Sequence, residues 1–213
     1  MKTLIVKYLP NGDDSKSKKL LDLFLEAVEN EVENENISIL DLLKNPPPIF
    51  NEASIKAYYK RNYENQKLTA EEQELLKAND ELVAQLKSCD VLVMCYPMHN
   101  FSMPASAKAY LDAIALKGET FEYGKKIMRT KKVLTLFTSN GSYLENDFNN
   151  SDSNWKSLSF STIASLAQAN FGFMGFDEIK TIGTSLRDKE TEQALLAEVK
   201  VKIFNLVKKL YRH

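Results

Sequence analysis

Three short stretches carry groups that could do chemistry. In the first, Asp13-Asp14-Ser15-Lys16-Ser17, two hydroxyls two residues apart stand before a segment of helical periodicity. Backbone N–H groups at a helix start are unpaired and the helix dipole favours an anion there. Ser15 and Ser17 could add hydroxyl donors to a phosphate; equally, one of them is a plain N-cap. Asp13 and Asp14 would repel an anion unless turned outward. The stretch contains neither G-x-x-x-x-G-K-[ST] nor G-x-G-x-x-G, so it supports neither a nucleotide P-loop nor a dinucleotide fingerprint.

The second stretch, Pro97-Met98-His99-Asn100-Phe101, closes the apolar run VLVMCY, and Pro104 follows soon after. The two prolines restrict the loop between them. Asn100 offers donor and acceptor, and Met98 and Phe101 offer apolar surface, a combination that suits a planar heteroaromatic ligand with a polar edge. Met98 and Phe101 would serve as well in a core. His99 is a candidate proton donor or an ordinary surface imidazole. In the third stretch, Thr138-Ser139-Asn140-Gly141-Ser142, Gly141 admits positive φ and successive N–H groups could face a ligand edge. The same residues also make a common Asn-Gly turn.

Other chemistries find little material. The chain has two histidines, one of them the terminal His213, and two cysteines, Cys89 and Cys95, on one apolar run, so no metal set assembles from the sequence. If that run is a strand, the two thiols lie roughly 20 Å apart and cannot pair. A G-x-S-x-G elbow is missing as well.

Strands and helices alternate along the chain, which is what must position these loops. Strands are expected over 3–8, 37–42, 89–96, 132–138 and 177–182. Helices are expected from Ser15 or Ser17 to about Val32, from Thr69 to the eighties, over 104–116 and about 155–170, and from about Asp188. Thr69 with Glu72 fits a capping box. Residues 46–48 are three prolines, and the Tyr-rich stretch to about Leu68 shows no clear period, so its role stays open between covering the site and meeting a partner subunit. Short apolar strands alternating with helices imply one doubly wound α/β domain over 1–213, a five-stranded parallel sheet flanked by helices. In such sheets ligands bind beyond the carboxyl ends of the strands, where all three stretches fall.

The chain's 213 residues carry 28 Lys+Arg against 29 Asp+Glu, a net charge of −1. That balance lacks the basic excess of a nucleic-acid binder. No apolar stretch reaches the length of a membrane span, and no leader pattern follows Met1, so no membrane association and a cytoplasmic location are expected.

The loops together resemble a known family. SKS after the first strand, PMHNFSMPASAKAYLDAIALKGETFEY, TSNGS, FGFMGFDEIK, and LTAEEQELLKANDELVAQLKSCDVLV are similar to the FMN-dependent NAD(P)H azoreductases, the flavodoxin-like NAD(P)H:quinone reductases of bacteria. The likeness runs over almost the whole chain, and Pro97 to Tyr123 is its specific part. It implies a flavodoxin-like fold and FMN held without covalent bonds, with Ser15, Lys16 and Ser17 on the phosphate. Pro97, Met98, His99, Asn100 and Phe101 would line the isoalloxazine, and Ser139, Asn140, Gly141 and Ser142 its pyrimidine side. It further implies NADH or NADPH as hydride donor, a quinone or azo compound as acceptor, two-electron ping-pong turnover in which the flavin rather than a side chain carries the chemistry, and a homodimer with sites at the interface. The chain departs from the family pattern where Tyr8-Leu9-Pro10 replaces a serine, where His99 replaces the tyrosine of P-M-Y-N-F, and where Ser142 replaces the second glycine of S-x-G-G. A flavodoxin-type electron carrier and a reductase of free flavin are the alternatives.

Overall fold

The computed structural model describes residues 1–29, 31, 36–141, 154–186 and 189–212, with backbone only over 154–160. Among these, the chain runs β1 (Thr3–Lys7), α1 (Lys16–Val28), β2 (Ile37–Asp41), α2 (Glu52–Asn62), α3 (Ala70–Ser88), β3 (Val91–Pro97), α4 (Ala105–Ile114), β4 (Lys132–Ser139), α5 (Asn154–Met174), β5 (Glu178–Ser185) and α6 (Lys189–Leu210). The five strands form one parallel sheet in the order β2-β1-β3-β4-β5, with Ile5 between Ile39 and Val93 and Val93 beside Leu134. This is the doubly wound sheet expected from the alternating pattern.

Each face of the sheet is closed by helices because successive strand residues point to opposite sides. Ile5, Val91, Val93, Cys95, Leu134 and Leu136 pack with Leu20, Leu21, Phe24 and Val28 of α1 and Val199, Ile203 and Val207 of α6. The four α1 residues recur at helical spacing, and each contributes about 2 kcal/mol on burial. Leu4, Val6, Leu92, Met94, Tyr96, Val133 and Phe137 face the other way, onto α2, α3, α4 and α5. The chain winds from β1 to β2 in one direction and from β2 through β5 in the other, so the order reverses between β1 and β3. The loops after those two strands diverge there and leave a crevice.

One element was not legible as a helix. Residues 52–62, within the stretch read as aperiodic, form α2, which brings the helices to six among the described residues. Its start is fixed by a capping box: Ser54 N–H donates to Asn51 Oδ1 (3.0 Å) and Asn51 N–H to Ser54 Oγ (2.9 Å). Its buried residues are Ser54, Ala57 and Tyr58, so the inner face lacks the aliphatic stripe that a periodicity search detects. Tyr58 accepts from Lys117 N–H (3.0 Å), Tyr63 stacks on Tyr59, and Lys117 Nζ lies 5.1 Å over the Tyr63 ring. Arg61–Asp80 and Lys60–Glu72 tie α2 to α3. The Tyr-rich segment therefore packs on α3 and the residues after α4. The other expected helices and strands are found within a few residues of their predicted bounds, and the Thr69–Glu72 capping box forms with both bonds present.

Gly183 of β5 sits beside Phe137 of β4, where an added Cβ would come within 2.3 Å of the aromatic ring. Only hydrogen fits, and Phe137 in turn immediately precedes Thr138 at the strand end. Both cysteines are unpaired and buried; burial pushes the Cys89 thiol up to about 11 and the Cys95 thiol up to about 12. Among the described residues no helix is long and apolar enough to cross a membrane.

Candidate functional site

The carboxyl ends of β1, β3 and β4 meet, and the three stretches singled out by their chemistry meet with them. After β1, Tyr8 N–H continues the ladder to Cys95 O (2.9 Å). Gly12, at φ 54°, then lets the chain turn through Gly12–Asp14, a conformation most side chains resist. Asp13 and Asp14 are exposed. Ser15 occupies the N-cap position of α1 but makes no side-chain capping bond, although it is buried, and the first turn holds no acidic residue. A helix of this length that begins without a side-chain cap presents its first amides, and its positive dipole end, to whatever lies beyond.

After β3, Met98 N–H donates to Thr138 O (2.7 Å), and His99 and Ser102 then exchange two backbone bonds of 2.9 Å each. Between them Asn100 and Phe101 have φ of 45° and 65°. Two consecutive left-handed residues closed by such a pair have the shape of a type I′ turn, which Asn-Gly normally fills. Placing Phe there costs about 1–2 kcal/mol, and its ring is half exposed. Strain of this kind persists where the surroundings over-determine the backbone, and it clusters at ligand sites. Pro104 then occupies the N-cap position of α4.

After β4, Ser139 Oγ donates to Gly141 O (2.8 Å), and Lys16 Nζ donates to Asn140 Oδ1 (3.1 Å). Beneath them the Ser17 and Thr138 hydroxyls lie 2.6 Å apart, both buried, and the Cys95 thiol donates to Ser17 O. The start of α1 is thus fastened to β3 and β4.

A cleft of about 270 Å³ opens above this junction. Ser15, Lys16, Pro97, Met98, His99, Ser139 and Asn140 line it, so seven of the residues marked in the sequence share one wall system. Ser17 lies buried below, Asn100 and Phe101 form the tip of the neighbouring turn, and Gly141 is held by Ser139; Ser142 lies outside the described residues. Thr138 lines the cleft too, as do Pro10 and Asn11, which were missed although they sit on the same strand end as Ser15; Asp14, the carboxylate expected to repel an anion unless turned outward, is exposed but also stands in the lining. Larger hollows exist elsewhere, about 850 Å³ along the outer charged face of α3 and about 580 Å³ between α1 and the edge strand β2. The first lies away from the strand ends and the second spans only those of β1 and the edge strand β2, whereas the smaller cleft joins β1, β3 and β4 and is the one where helix amides, two buried serines and a conformationally strained turn converge. That donor set fits a phosphate monoester at α1 with a flat, partly apolar group beside Pro97 and Met98.

Known proteins match the chain over most of its length. A family model described as the flavodoxin-like fold matches residues 1–204. The FMN-dependent NADH:quinone oxidoreductase of Shewanella loihica is 30% identical over 211 residues, covering 97% of this chain and 98% of the relative. Its counterpart from Bordetella parapertussis is 35% identical over 150 residues, 66% of this chain and 68% of the relative. Among solved structures, the FMN-dependent NADH-azoreductase of Bacillus anthracis in complex with FMN superposes with a TM-score of 0.82 at 25% identity, covering 100% of both chains. From its sheet order to its matched length, this chain belongs to the flavodoxin-like family, as kin of the FMN-dependent NADH:quinone oxidoreductases.

Proposed function

We propose that the chain is an FMN-dependent oxidoreductase that uses NADH, or NADPH, to reduce quinones or azo compounds by two electrons. The observation that carries this is the meeting of the uncapped α1 start, the 99–102 turn and the end of β4 around one cleft. The names of relatives matched over nearly the whole chain point the same way and favour NADH as donor.

Ser15, Lys16 and Ser17 would hold the phosphate: the first amides of α1 donate, the Ser15 hydroxyl adds a donor, and Lys16 supplies charge. The Ser17 hydroxyl, engaged with Thr138, leaves its backbone N–H for the ligand and keeps the helix start in place. Pro97, Met98 and His99 would wall the ring, with Asn100 and Phe101 reaching it from the tip of the adjoining turn, rigid because proline and paired backbone bonds fix it. Ser139, Asn140 and Gly141, and Ser142 beyond the described residues, would meet the polar edge of the ring, where N–H dipoles would stabilise negative charge. When bound, FMN supplies the hydride-accepting and hydride-donating centre, so no side chain need act as acid or base. His99 is available to pass a proton.

Residues 1–213 act as a single flavin domain in this reading, and a second copy completes the site as a homodimer. The two unpaired, buried thiols support a reducing, cytoplasmic setting.

Steady-state turnover tests the assignment. FMN-loaded protein is expected to oxidise NADH only when a quinone or azo dye is present, with parallel double-reciprocal lines. Protein that loses its flavin on desalting and turns over only with excess free FMN would instead be a free-flavin reductase. Protein that keeps its flavin but is not reduced by NADH or NADPH would be an electron carrier.

A further inference from the structure

Tyr8 and His99 sit on different loops and touch. Their ring centroids are 5.7 Å apart with planes at 81°, an edge-to-face pair. Tyr8 is held from behind: its N–H extends the β1–β3 ladder onto Cys95 O, its half-buried ring rests on the core, and Leu9 beside it is buried. His99 is exposed on the cleft side and begins the turn in which Asn100 and Phe101 are both left-handed. That turn is restrained through its backbone by Met98 on Thr138 and by the His99–Ser102 bonds. Those bonds fix the main chain and leave the imidazole free to rotate about its own side-chain torsions. The Tyr8 ring restrains it.

The geometry points to Tyr8 as a positioning residue of the cleft: its ring buttresses the His99 imidazole from β1 and so sets the shape of the wall against which the flavin and the acceptor lie. This rests on the proposal that the cleft takes FMN. Tyr8 itself does not line the cleft, so it acts through His99 and not on the ligand. The ring does the work, because an edge-to-face contact needs an aromatic plane and no hydroxyl.

The chain's two histidines, His99 and His213, make the test tractable, since the imidazole region of a proton NMR spectrum holds few resonances and His99→Leu assigns them. In apoprotein, Tyr8→Phe is expected to leave the His99 resonances close to their wild-type positions, while Tyr8→Leu moves them out of the tyrosine ring current. FMN dissociation constants from flavin fluorescence and the acceptor KM then complete a cycle with Tyr8→Leu, His99→Leu and the double variant. Tyr8→Leu and His99→Leu are each expected to weaken FMN binding or raise KM about three- to tenfold at nearly unchanged kcat. The double variant is expected to be no worse than the poorer single one. Unmoved His99 resonances in Tyr8→Leu, strictly multiplied losses in the double variant, or a lower melting temperature with unchanged FMN affinity and KM would each overturn the proposal. The NMR arm needs no flavin. If wild-type protein fails to bind FMN, the functional assignment falls while the buttress is judged by the resonances alone.

Discussion

The hydroxyls of Ser17 and Thr138 lie 2.6 Å apart with both side chains buried, joining the first turn of α1 to the end of β4 across 121 residues of sequence. Together with the exposed Lys16–Asn140 bond, this contact ties two of the three cleft loops to each other. A serine marked for its phosphate chemistry thus also locks the architecture that presents the other donors.

Removing either partner leaves the other hydroxyl buried without its bond. Ser17→Ala and Thr138→Val are each expected to cost about 1–3 kcal/mol in urea unfolding of the apoprotein. The double variant is expected to cost clearly less than their sum, since neither orphan remains. Additive losses would mean the bond does not couple the two loops.

Phe101 at φ 65° is the second point of tension. Phe101→Gly relieves the left-handed strain but loosens the unfolded chain, so the net expected gain in apoprotein stability is about 0.5 kcal/mol. FMN affinity is expected to fall with the same change, because the wall of the cleft becomes more mobile. A variant that is less stable than wild type would show that the turn is not strained.

Burial should also be visible in the thiols. Cys89 and Cys95 hold their protons to about 11 and about 12, against about 8.5 in an unfolded chain. Between those values the native state binds more protons than the unfolded one, so this contribution is complete below about pH 8.5 and drains away as pH rises toward 11 and 12. By pH 10 the loss should reach about 1–2 kcal/mol per thiol. At pH 8 neither thiol of folded protein should react with an aromatic disulfide reagent, and both should react in denaturant. Rapid labelling of the native protein would place one of them at the surface.

Much of this arrangement could be read from the chain. Apolar runs such as Val91–Tyr96 announce strands covered on both faces, and strand ends announce where to look for ligands. Other features left weaker traces. Sheet order depends on long-range pairing, such as Thr3 with both Ile37 and Val91, which no local pattern encodes. The helix α2 was hidden because tyrosine, alanine and serine face its interior, although Asn51 and Ser54 carried its cap in plain view. Asn100-Phe101 could not be recognised as a left-handed pair, since phenylalanine is a poor marker for that conformation. The contact between Tyr8 and His99 joins two loops far apart in sequence, and only the folded chain brings them together.

In the proposed complex the start of α1 receives a phosphate while the later loops hold the ring that carries it. Calorimetric titration of apoprotein with FMN and, separately, with riboflavin isolates the phosphate's contribution, because the two ligands differ by the phosphate alone. Charge-assisted bonds of about 1.5–3 kcal/mol predict FMN binding at least about tenfold tighter, with the gap narrowing as salt rises. Equal affinities for the two, or no binding of either at any temperature tried, would leave α1 without a phosphate to hold.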